Sequence, residues 1–155
     1  MFDSRRRRRG FSLIELLIVI AIILIIITMA VPRFQKIQMF ARETAAIKAI
    51  QTIHQMEVQF QSQYGRYAAS LAELGPPASG ADTASAAGLI DATLAAGEKG
   101  SYKFTLTGTQ GGYVIIAVPL NYGTSGSRTF YSDHTMVIRE NFGPEPATAT
   151  SPELK

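Results

Sequence analysis

The hydrophobic pattern changes character three times along the chain. From Leu16 to Ile27 every residue is Leu, Ile, Val or Ala, and Thr28 is the single polar interruption before Pro32. The 21 residues from Phe11 to Val31 make a helix of about 32 Å, enough to cross the hydrocarbon core of a bilayer. Beyond Pro32, residues 33–64 contain neither Gly nor Pro and are rich in helix formers. Ala46, Ile50, Ile53, Phe60 and Tyr64 fall at steps of three, four or seven, opposite Lys48, Gln51, Gln55 and Gln59. The spacing predicts an amphipathic half-helix continuing the apolar one, together about 80 Å long. Glu57 falls near the apolar stripe, and Arg66 is its expected partner.

Gly65 then suits a left-handed helix end. Residues 65–100 read as connecting chain, with a short helix across Ser70 to Leu74 stopped by Gly75-Pro76-Pro77, and a second short helix within 78–97. After that the period shortens to two. Tyr102, Phe104 and Leu106 alternate with Lys103, Thr105 and Thr107, which predicts a half-buried strand. Gly108 to Gly112 reads as a turn, and Tyr113 to Val118 is a continuous apolar run fit for a central strand. Thr129 to Ser132 and Met136 to Arg139 read as two further strands around an Asp133-His134 turn. The fold class is therefore α+β: a long N-terminal helix packed on an antiparallel sheet of about four strands, shaped like a ladle. The segments are a leader 1–10, an apolar half-helix 11–31, an amphipathic half-helix 32–64, a connection 65–100, a sheet 101–142 and a loose Pro- and Ala-containing tail 143–155.

Charge changes this picture only at one end. The chain carries a net +3, yet Arg5, Arg6, Arg7, Arg8 and Arg9 against Asp3 give the first ten residues +4. The body is close to neutral, so the basicity is a topology signal before the span and not a nucleic-acid surface. Five arginines ahead of the span hold the N-terminus in the cytoplasm and send the rest outward. With no cysteine, neither disulfides nor thiolate metal sites are available.

Other readings compete for the segment. Thr28-Met29-Ala30 could serve as the cleavage site of a secretory signal, but the apolar run is long for a signal core and a carboxylate, Glu15, stands in its first turn. Arg8-Arg9-Gly10-Phe11 loosely matches a twin-arginine signal, with surplus arginines and an unusually apolar core. The run Gly10-Phe11-Ser12-Leu13-Ile14-Glu15, behind a basic leader and ahead of a long apolar helix with Pro32, resembles the leader junction of type IV pilins and type II secretion pseudopilins. "QYGRYAASLAEL" is also similar to segments that follow the long helix in bacterial members.

The resemblance implies cleavage between Gly10 and Phe11 by a membrane-embedded prepilin peptidase and N-methylation of Phe11. It further implies pilin subunits, an assembly ATPase and a platform protein as partners, with lipid around the span before assembly. Such a chain starts in the bacterial inner membrane and ends in an extracellular pilus or a periplasmic pseudopilus. Glu15 is then expected to pair with the Phe11 amine of a neighbour, a group that exists only after cleavage; alternatively it merely complements the helix dipole. Pro32 either kinks or loosens the helix or ends the span. A pseudopilin remains open, as does a chain of another class, a single-span anchor presenting a periplasmic binding domain.

Little in the sequence speaks for catalysis. His54 and His134 lie on different elements without metal-ligand spacing, and each reads best as a satisfied or exposed side chain. Ser132-Asp133-His134 contains triad residue types, but neighbours in sequence splay apart on a strand or turn. The expectation is a structural subunit with no cofactor, metal or nucleic acid.

Overall fold

The computed structural model describes residues 10–109 and 111–155; Arg5 to Arg9 lie outside the described residues. The chain divides into two compact units, Met1–Lys36 and Ile37–Lys155. Helix α1, Leu13–Tyr64, is unbroken over 52 residues and contains Pro32 in its interior. The helix does not stop at that proline. Pro32 has no N–H, so the carbonyl of Thr28 lacks the amide that would normally reach it from the next turn. Within the first unit every described residue is exposed, as a span lacking its lipid or protein surroundings should be, and α1 is long and apolar enough to cross a membrane.

In the second unit the remainder of α1 is followed by α2 (Leu71–Leu74), α3 (Ala92–Ala95) and strands β1 (Glu98–Lys99), β2 (Tyr102–Thr109), β3 (Gly112–Pro119), β4 (Arg128–Asp133) and β5 (Ile138–Phe142). The sheet is an antiparallel meander in the order β1-β2-β3-β4-β5. The α+β expectation holds, with five strands where four were expected. The extra one, β1, is too short at two residues to leave a period in the sequence.

The alternation in β2 does what it predicts: Tyr102, Phe104 and Leu106 are buried and the residues between them exposed. The continuous apolar run of β3 is indeed the central strand, but Tyr113, Ile115 and Ala117 are buried while Val114, Ile116 and Val118 are half-exposed, because the helical layer covers one face only. The apolar stripe of α1 meets that buried face. Ala46, Ile50, Ile53 and Phe60 join Tyr102, Phe104, Ile115 and Phe130 in one core, closed by Leu71, Leu74 and Leu94 of the short helices. Each of the Leu, Ile and Phe side chains among them contributes roughly 1.5–3 kcal/mol through its removal from water.

Three expectations are corrected. The last strand begins at Ile138, not Met136, because Met136 is in the left-handed region (φ 63°) at the end of a turn in which its amide bonds the Asp133 carbonyl. The Gly108 to Gly112 turn is narrower than read: Gly108 and Thr109 belong to β2, and Gly112 opens β3. The tail is not loose. The amide of Glu140 donates to the Pro152 carbonyl and that of Leu154 to the Ile138 carbonyl, both at 2.9 Å, so the tail covers the open edge of β5. Ala147 is buried, and the Thr129 hydroxyl donates to the Glu145 carbonyl at 2.8 Å.

Candidate functional site

The first region singled out by the sequence is the N-terminal end of α1. Gly10 is exposed, with nothing within 4 Å of the space a side chain would take, and Phe11 is 84% exposed. Among the described residues nothing packs on the junction. Ser12 precedes the first helical residue, and its amide donates to Glu15 Oε2 at 2.9 Å. This one half of a capping box, between Ser and Glu three apart, satisfies one amide left without a partner at the helix start. Glu15 therefore has a hydrogen-bond donor within the single chain. Its carboxylate remains exposed and able to take a second donor.

The polar groups buried in the second unit have a different character. Glu43, fully apart from the leader motif, accepts from the amide and hydroxyl of Ser127 at 2.8 and 2.9 Å and from Arg128 Nε at 2.8 Å. The same guanidinium donates to Glu140 Oε2 at 2.7 Å. One cation thereby satisfies two acids and ties α1 to the start of β4 and to β5. The two carboxylates hold Arg128 above its ordinary pKa against the opposing effect of burial.

His54 is buried between Tyr113 and Ser132, at 2.7 Å from Nδ1 to the Tyr113 hydroxyl and 2.8 Å from Nε2 to Ser132 Oγ. The Ser132 hydroxyl donates to the Val137 carbonyl at 2.9 Å. Nε2–H must then donate to Ser132, and Nδ1 accepts from Tyr113. Burial lowers the pKa of His54, with Asp133 opposing, which favours the neutral ring that this pattern needs. The arrangement brings a serine to a histidine, but the hydroxyl hydrogen points away from the ring and the oxygen is sealed in the core. It staples a helix to a sheet. His134 does not join it; its ring packs over Gly112, where a Cβ would come within 2.6 Å of Nδ1. No group of three metal-ligating side chains gathers among the described residues.

Glu57 and Arg66 are not paired as expected. Arg66 donates to Glu73 at 2.7 Å, and Glu57 turns inward, where Oε2 accepts from the Ala68 amide at 2.9 Å. Oε1 is buried without a hydrogen-bond partner among the described residues. Burial raises the Glu57 pKa to about 7, partly opposed by the Ala68 hydrogen bond. Sequence reasoning missed Glu43 as well, because an acid on a mostly polar helical turn carries no local sign that a cation 85 residues away will cover it.

The buried polar groups of the second unit are thus paired with one another for the most part, whereas Gly10, Phe11 and Glu15 are exposed. The family model described as the prokaryotic N-terminal methylation motif matches residues 5–31. The chain is also 38% identical, over 69 residues or 44% of its length, to the type IV major pilin protein PilA of Myxococcus xanthus. Its N-terminal region is thus similar to that of a type IV pilin. The match spans 31% of the PilA length, less than a third of that protein.

Proposed function

We propose that this chain is the membrane-inserted precursor of a subunit in a type IV pilus-like filament. The observation that carries the reading is the exposed Gly10–Phe11 junction followed directly by a helix whose first turns are apolar on every side. Such a surface has two stable environments, lipid and a bundle of like helices, and only the second builds a filament. A prepilin peptidase on the cytoplasmic side cuts after Gly10, and Phe11 is methylated. An assembly ATPase working through a platform protein then draws the subunit from the inner membrane.

In the bundle, Glu15 accepts from the Phe11 amine of a neighbour. A neutral amide donor at Ser12 is then joined or replaced by a cationic one, and charge-assisted bonds are roughly twice as strong as neutral ones. A carboxylate left unpaired in the apolar interior would instead cost roughly 2.5–3.5 kcal/mol on insertion scales. Pro32 supplies the point at which the helix loosens locally as it leaves lipid, since the Thr28 carbonyl has no amide to lose there. The similarity to a protein named as a major pilin favours a pilus over a periplasmic pseudopilus.

Mass spectrometry of the mature chain tests the reading: a methylated Phe11 at the N-terminus is expected, together with sheared surface filaments containing the chain. An N-terminus at Val31 would mean an ordinary secretory signal, and an intact leader a fixed anchor. Methylated Phe11 with no surface filament would move the chain to the pseudopilins.

A further inference from the structure

One end of the second unit carries a cluster of exposed apolar side chains. The β-meander brings the end of β3, the start of β4 and the end of β5 together there, as the pairing of Tyr102 with Pro119 and of Arg128 with Phe142 requires. Leu120, Tyr122 and Phe142 are exposed at this end by 46, 48 and 71%. The helix reaches the same end, since Arg42 Nη1 donates to the Thr124 carbonyl at 3.1 Å and Glu43 holds Ser127 and Arg128. One turn or so before those residues, Ile37 and Phe40 are each 65% exposed. An apolar rim of this kind marks a surface meant to be covered.

The geometry points to the headgroup and acyl boundary of the membrane as the cover. The chain leaves the apolar run at Val31 and enters this unit at Ile37, and six residues reach roughly 20 Å even when fully extended. Covalent tethering thus keeps the rim close to the bilayer surface, whereas a second copy must arrive by diffusion. The side chains suit the boundary: aromatic rings, one with a hydroxyl, and branched aliphatics are the residues that settle there. The charges nearest the rim sum to zero and so do not oppose approach to anionic lipid: Glu43 and Glu140 share Arg128, whose guanidinium lies 5.8 Å from the Phe142 ring centroid, and Arg42 adds the second cation at the same end. The rim lies on the bilayer before assembly and is released when the subunit leaves it. This rests on the part of the proposed function in which the apolar helix enters the membrane.

The chain has no cysteine, so single labels are clean. Tyr122→Cys and Phe142→Cys, with Gln63→Cys at the far end of the helix and Ile23→Cys in the apolar run, would carry an environment-sensitive fluorophore. The full chain is reconstituted in phosphatidylethanolamine and phosphatidylglycerol vesicles containing lipids with a quencher near the headgroup or deep in the tail. Positions 122 and 142 are expected to shift to the blue and to be quenched by the shallow probe, position 23 by the deep probe, and position 63 by neither. Leu120→Glu should reduce shallow quenching at 142 without changing position 23. If 122 and 142 behave like 63 while 23 is quenched, the rim inference is wrong and the anchoring stands. If 23 escapes quenching as well, anchoring itself has failed and the rim inference with it. Protection at 122 and 142 that grows with protein density, without lipid quenching, would assign the rim to a second copy and overturn the proposal.

Discussion

Glu57 and His54 sit three residues apart on α1, and their environments push their protonation in ways that oppose each other in stability. The folded state holds Glu57 at about 7 against an ordinary 4.5. It therefore binds a proton more tightly than the unfolded chain, and this group's contribution falls as pH rises from 4.5 towards 7. His54 is lowered from 6.5, so its contribution is present above that value and is lost as pH falls below it. The two slopes partly cancel between them. Glu57→Gln keeps an acceptor for the Ala68 amide and removes the charge. It is expected to raise stability at pH 8 by roughly 1–2 kcal/mol and to leave a profile that climbs with pH up to about 6.5. Urea unfolding of the full chain in detergent, at several pH values, measures both. A variant no more stable than the parent at pH 8 would show that Oε1 is not an uncompensated charge there.

At the scale of elements, the long helix and the sheet are fastened by contacts of known cost. Arg128 is the shared cation between α1, β4 and β5, with side-chain exposures of 14, 6 and 14% for Arg128, Glu43 and Glu140. Arg128→Ala leaves two acids without a cation and is expected to cost roughly 3 kcal/mol. Arg128→Ala combined with Glu43→Gln and Glu140→Gln should recover much of that loss, which thermal unfolding of the full chain can read. Gly108 is a second fastening point. A Cβ there would stand 2.4 Å from the Ala68 carbonyl oxygen and 2.8 Å from the Ala69 Cα, both backbone atoms that cannot swing aside. Gly108→Ala should therefore destabilise by about 1–3 kcal/mol, while Gly111→Ala, where a Cβ would meet nothing within 4 Å among the described residues, should change little in the same assay. Glycine in this stretch reads from sequence as a turn; in the fold Gly108 marks where the connecting segment is pressed against β2.

For the molecule as a whole, the decisive test concerns what the first unit does with its apolar surface. If Glu15 is an assembly residue, Glu15→Ala chains should insert and be processed at Gly10 yet yield far fewer filaments in a shearing assay. Glu15→Gln should be nearly as defective, because it retains the hydrogen bond to Ser12 but not the charge that attracts an amine. Wild-type filament yield from either variant would confine Glu15 to its role at the helix start. Ser12→Ala keeps the backbone amide that Glu15 uses and serves as the control.

What the sequence by itself determined is what depends on near neighbours. The unbroken apolar run, the stripe Ala46–Ile50–Ile53–Phe60, the alternation through Tyr102–Phe104–Leu106 and the six residues from Gly10 to Glu15 are all one-dimensional patterns, and in the stripe and the alternation the period of burial writes itself into the sequence directly. What only the tertiary structure decided is where lone polar residues find partners. Glu43 and Arg128 stand 85 residues apart, His54 and Ser132 stand 78 apart, and the tail reaches β5 through backbone groups that have no side-chain signature. Glu57 shows the limit most plainly: sequence distance favours Arg66, yet the fold gives Arg66 to Glu73 and turns Glu57 into the core. A pairing is set by the distance between groups after the chain has packed, and the spacing along the chain carries that distance only within a turn or a hairpin.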